Sequence, residues 1–208
     1  DSESKEKIIY YVTDLVQQSQ YVNMFKKAKM DAVVLPDRID QPFVSQLEAK
    51  NPGVKFARID ADLTDAFKAK TSKKTQEELN AQAEKVEKLV QKALKNDKIK
   101  VKIEKLKNKK VSSVLTVSEE SRRMQDMMKM YGGGMDMSMF GAEGETLVLN
   151  ANHPLVTYIT EHEDDANTEM ICEQLYDLAK LQNAPLSPEA MTKFVARSND
   201  IMLLLAKQ

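Results

Sequence analysis

Two histidines, one cysteine and a short acidic run are the residues of this chain whose types could do covalent or metal chemistry. Nucleophilic catalysis needs a hydroxyl, thiol or amine beside its base, and zinc hydrolysis needs a spacing such as HExxH. His153 sits in "HPL" and His162 in "EHEDD", and neither has such a neighbour. Glu161, Glu163, Asp164 and Asp165 lack the alternating oxygen ligands and the glycine of a calcium loop. The spacing therefore gives His153 a turn role before Pro154 and makes the acids a linker and a negative helix start. Cys172 lies in an apolar helical run and reads as inert core. A single thiol cannot form an internal disulfide, which suits a reducing, cytoplasmic location.

Contact chemistry is better supplied. "RRMQDMMKMYGGGMDMSMFG", residues 122–141, holds seven of twelve methionines and four of six glycines. Met124, Met127, Met128 and Tyr131 fall at i, i+3, i+4 and i+7, one face of a helix that Gly132 to Gly134 end. Met130 lies off that stripe, while Met135, Met137 and Met139 alternate with small or polar residues before Phe140. Methionine adapts to differently shaped apolar partners, and exposed methionine surfaces serve promiscuous binders. Helical spacing alone leaves a core face and a contact surface equally open.

Charge offers another contact. Residues 68–110 carry fifteen lysines against six acids, while residues 136–177 carry ten acids and no Lys or Arg. A nucleic-acid-binding module built on the lysine-rich segment is thus an alternative function. Against it, residues 68–110 contain no aromatic for base stacking and no Arg for a guanine edge. A solvated helix face is the plainer account of the lysines.

The elements that must hold these residues can be read from periodicity. "KIIYYVTD", "DAVVLPD" and "VKFARID" are short strand-like runs separated by helical ones, which predicts a small parallel sheet. In the first intervening helix Val16, Tyr21, Met24, Phe25 and Ala28 recur at roughly helical spacing; in the second, Asp40 is placed to cap. Such units often bind nucleotides, but the first strand-to-helix turn, "TDLVQQSQ", has no glycine to admit a phosphate. Residues 73–96 form a helix with Leu79, Ala83, Val86, Val90 and Ala93 on one seam. "KIKVKIEKL" alternates as a half-exposed strand, "VSSVLTV" is placed to pair with it across "KNKK", and "ETLVLNAN" supplies a third strand, which predicts a second, mainly antiparallel sheet.

Two helices close the chain. The second begins with Ser187 as N-cap and Pro188 at its first position. Its last turns, "IMLLLA", are apolar on every side and need cover from a thick core or from another chain. No apolar stretch is long enough to span a bilayer. The opening "DSESKEK", without an initiator Met, reads as an internal piece of a longer protein. The predicted fold is a small α/β parallel-sheet module over residues 1–66, a connecting helix over 67–98, and an α+β domain over 99–208.

"LNANHPLV", residues 149–156, resembles the L-N-x-x-H-P-[LI]-[VI] segment in the C-terminal domain of the heat shock protein 90 chaperone family. "IIYYVTD" and "DRIDQPFVSQL" are similar to the end of that family's middle domain, and "FVARSNDIMLL" to its final dimerisation helix in the bacterial, high-temperature protein G form. Gln41 stands where many members have Glu, and the chain ends "LLAKQ" without the acceptor pentapeptide of eukaryotic cytosolic members.

The resemblance implies a homodimer in which helices at 167–182 and 188–205 pair with their copies in a four-helix bundle. Its contacts would be Leu175, Leu178, Met191, Phe194, Val195, Ser198, Ile201, Met202 and Leu205. It implies that Met124, Met127, Met128, Met130, Tyr131, Met135, Met137, Met139 and Phe140 touch unfolded or partly folded client proteins, which tips the methionine stretch toward exposure. It places ATP and Mg²⁺ in domains outside these residues, so this piece is expected to hold no cofactor and to hydrolyse no ATP.

Overall fold

The computed structural model describes residues 7–61, 63, 66–121, 123–124 and 144–206. Strands β1 (Lys7–Val12), β2 (Val33–Val34) and β3 (Val54–Arg58) form a parallel sheet in the order β2-β1-β3. Helices α1 (Ser19–Lys27) and α2 (Asp40–Lys50) make the crossovers that parallel pairing requires. Tyr21, Met24 and Phe25 of α1 turn inward as their spacing predicts. Val16 does not: the helix starts three residues later, and this side chain is exposed in the preceding turn. Asp40 is not the N-cap of α2 but its first residue, and its carboxylate accepts from the Asp37 N–H at 2.9 Å.

The second sheet contains β4 (Lys100–Glu104), β5 (Ser113–Val117) and β6 (Glu145–Asn150) in the order β4-β6-β5. The three predicted strands are present, but the β4–β5 hairpin is not. β6 lies between them, parallel to β4 and antiparallel to β5. The side chain of Asn150, fully buried at the end of β6, explains the difference. Its Oδ1 accepts from the Leu106 N–H at 3.0 Å, and its Nδ2 donates to the Asn108 and Val111 carbonyls at 3.0 and 2.7 Å. The connection after β4 is thereby held across the end of β6 instead of turning tightly into β5.

Helix α3 (Lys73–Leu94) lies against this sheet. The Ser72 hydroxyl caps it by accepting from the Thr75 N–H at 3.2 Å, and Lys95 ends it in the left-handed region at φ 51°. Leu79, Ala83, Val86, Val90 and Ala93 are all buried, packed with Ile99, Val101, Ile103, Leu147 and Leu149 of the sheet region. A Val or Leu so buried contributes about 1.5–3 kcal/mol, so this seam dominates the helix's stability while its lysines stay in water. Helices α4 (Pro154–Glu161), α5 (Thr168–Leu181) and α6 (Pro188–Ala206) follow. Val12, Tyr21, Phe25, Ile59 and Phe67 share a core with Leu106, Val114 and Val148, so the two sheets are joined by apolar packing.

Candidate functional site

The methionine stretch starts from a polar anchor. Residues 119–121, 123 and 124 are helical, and Arg123 fastens this turn to the first sheet. Its guanidinium donates to both Glu48 oxygens at 2.7 and 3.0 Å, to Glu119 at 3.0 Å and to the Phe56 carbonyl at 3.3 Å. Glu119 in turn accepts from the Tyr11 hydroxyl at 2.8 Å and from the Arg58 N–H at 3.1 Å. Hydrogen bonding from Arg123 holds the Glu48 carboxyl below the usual carboxylate range against the opposing effect of burial. The same Glu48 contact raises Arg123 further. Burial, with the Glu119 charge adding to it, pushes the Tyr11 phenol up. Bidentate geometry fixes direction as well as distance. Next to this anchor, Met124 is 45 % exposed.

The other predicted contact surface is α6. Ser187 caps it, accepting from the Ala190 N–H at 3.2 Å, and none of its residues is buried. Its attachment to α5 is polar. Arg197 donates to Gln174 and Glu173 at 2.8 Å each and also to Asp177, while Gln174 donates to Ser198 at 3.2 Å. Burial pushes the Asp177 carboxyl up although Arg197 beside it pulls the other way. Flanking Ser198 on the same helix, Met191, Val195, Met202 and Leu205 are exposed at steps of four, seven and three residues, with Leu203 and Leu204 beside them. Such spacing keeps one face in line and matches what a second helix needs for interdigitation.

Of the other predicted interface residues, Phe194, Ser198, Ile201 and Leu178 are half-buried. Leu175 is a correction: at 1 % exposure it packs in the protomer's own core against Val90 and Leu147, and has no surface left for a second chain. Met127, Met128, Met130, Tyr131, Met135, Met137, Met139 and Phe140 lie outside the described residues. Missing from the sequence reading was the anchor itself. Glu48 is far from Glu119 and Arg123 in the chain, and only the Glu119–Arg123 spacing of four hinted at a pair.

Residues read as non-catalytic have structural partners. His153 caps α4, its Nδ1 accepting from the Leu155 N–H at 3.3 Å, and His162 stacks on Tyr158 at 4.6 Å between centroids. Burial pushes the Cys172 thiol up to about 12, which removes its thiolate at neutral pH. In the turn after β1, Asp14 accepts from the Val16 and Gln17 amides and Gln18 from those of Thr13 and Asp14, all within 3.1 Å. The amides that a phosphate would need are already occupied by side chains.

The described residues thus combine polar anchors that fix direction with apolar faces left open beside them. The Hsp90 protein family matches residues 1–207. The chain is 29 % identical over 196 residues to a chaperone protein HtpG of Bacteroides fragilis, covering 86 % of this chain and 27 % of that protein. It is 27 % identical over 210 residues to the chaperone protein HtpG of Chromobacterium violaceum, covering 98 % and 32 %. This chain belongs to the Hsp90 protein family, and it spans between 27 % and 32 % of the length of these two relatives. No described helix is long and apolar enough to cross a membrane.

Proposed function

We propose that this chain is the dimerising and client-contacting portion of an ATP-driven cytoplasmic chaperone. The observation that carries the reading is α6, a helix of 19 residues with no buried side chain and an exposed apolar face beside its polar attachment to α5. A second copy would cover that face, with Met191, Val195, Met202 and Leu205 as central contacts and Leu178, Phe194, Ser198 and Ile201 at their margin. Two copies joined there would hold two methionine segments in one particle. Weak contacts then gain from effective concentration. Nucleotide chemistry elsewhere in the longer protein would change the spacing between them.

Client contact is assigned to Met124, Met127, Met128, Met130, Tyr131, Met135, Met137, Met139 and Phe140. It is supported by the exposure of Met124 beside the Arg123 anchor. Changing Met124, Met127, Met128 and Tyr131 to Ser should weaken binding to an unfolded protein about tenfold or more, a loss typical of a few truncated apolar contacts. The melting temperature should stay nearly constant. A large drop in melting temperature would show that this face belongs to the core.

A further inference from the structure

Between the end of α1 and the β4–β5 connection lies a cavity of about 550 Å³ that neither contact surface uses. Its floor is apolar: Met24, Phe67 and Leu106 are buried, and Ala28, Ala66 and Val111 are half-buried. Its rim carries Lys27, Lys29, Lys107 and Asn108, and no acid is among the ten described lining residues. A volume in this range, apolar below and polar in a few places above, suits a small organic ligand.

The walls are preformed. Residues Lys68 and Leu106 bridge antiparallel, the Ala69 N–H donates to the Lys105 carbonyl at 2.7 Å, and the Lys107 N–H to the Phe67 carbonyl at 3.0 Å. Phe67 is wedged edge-on against Phe25 at 5.2 Å. On the opposite wall, α1 ends with Met30 and Lys29 N–H groups donating to the Phe25 and Lys26 carbonyls at 3.0 and 3.1 Å. Those carbonyls are thereby occupied, and Lys29 takes a left-handed φ of 55°.

Charge decides the ligand class. Lys107 reaches across to the Ala66 carbonyl at 2.6 Å, whereas the ammonium groups of Lys27 and Lys29 have no hydrogen bond or ion pair among the described residues. Three ammonium groups outweigh the roughly half negative charge of a helix C-terminus. Asn108 accepts from the Lys110 N–H at 3.2 Å through its side-chain oxygen, which leaves its amide NH₂ to donate. The rim side chains Lys27, Lys29, Lys107 and Asn108 thus add donors to the apolar floor, and the complementary ligand is an acceptor with an apolar body.

We propose that this cavity binds a small amphiphilic carboxylate, its apolar body on Met24, Phe67 and Leu106 and its carboxylate among Lys27, Lys29 and Lys107. The test is calorimetric titration of the whole chain with decanoate at low ionic strength. Decanol supplies the same apolar body without charge, and acetate supplies the charge without the body. Decanoate should saturate at one per chain, decanol should bind about tenfold more weakly or less, and acetate should not bind. Salt should weaken decanoate and leave decanol unchanged.

Changing Lys27, Lys29 and Lys107 together to Gln should bring decanoate down to decanol's affinity. These side chains are exposed, so the fold should persist by melting temperature. Ala28→Phe, which fills the cavity, should weaken both ligands. Equal affinity for decanol and decanoate, or an unaltered affinity in the triple variant, would overturn the proposal. So would loss of binding on Met202→Ser with Leu205→Ser, since that would locate decanoate on the open face of α6.

Discussion

The two longest described helices, α3 with 22 residues and α6 with 19, resolve opposite problems. α3 is dominated by Lys, Glu and Gln, yet each member of its narrow apolar seam is buried between the second sheet and α5. α6 is richer in apolar side chains, and none is buried. The difference lies in what faces each helix. α3 meets an apolar sheet, whereas α5 presents to α6 the side chains of Glu173, Gln174 and Asp177, which Arg197 and Ser198 satisfy. Apolar content therefore does not predict burial here; the position of the covering surface does.

The sharpest way to break this comparison is to remove α6. Deleting Pro188 to Gln208 should convert a dimer into a monomer by light scattering, and an unchanged dimer mass would place the interface elsewhere. Next in size, Leu79→Ala should cost about 2–5 kcal/mol in urea unfolding, because a cavity is left under α3. Met202→Ser with Leu205→Ser, the matching change on α6, should leave monomer stability within about 0.5 kcal/mol while weakening dimer association about tenfold or more. A stability loss like that of Leu79→Ala would erase the contrast between the helices.

The smallest effect tests whether the polar anchor at Arg123 behaves like the polar attachment of α6. The folded Glu48 carboxyl lies below its ordinary value of 4.5, so its contribution is fully present above that pH and is lost as pH falls through the folded value. Glu48→Gln should therefore lower stability at neutral pH by on the order of 1 kcal/mol, given a partly exposed pair. The gap from the parent chain should close as pH falls below about 4.5 in thermal melts. A gap independent of pH would mean that the carboxylate charge is not what holds Arg123.

What the sequence made legible was periodic. The α3 seam, the alternation of Val101 and Ile103 with lysines in β4, and the Ser187 cap follow from local spacing. The β4–β5 pairing was not legible, because the choice between a hairpin and an inserted strand depends on Asn150, more than thirty residues beyond β5. A lone amide closing the apolar run "TLVLN" was the available signal. Leu175 was assigned to the wrong surface for a related reason: helical spacing gives a face but not the identity of what covers it. The exposure of α6 was readable, since its sequence is apolar on every side near the end. The Glu48–Arg123 anchor, separated by 75 positions, was not.

The placement of β6 also orders events during synthesis. β4 and β5 have no hydrogen bonds to each other and must both wait for the strand that lies between them. That strand is translated only after the methionine-rich stretch, so the second sheet cannot close until residues Glu145–Asn150 have been made. Until then the underside of α3 has no complete surface to rest on. A nascent chain paused within residues 125–143 would thus expose its own apolar seam, and would itself need the protection of a chaperone.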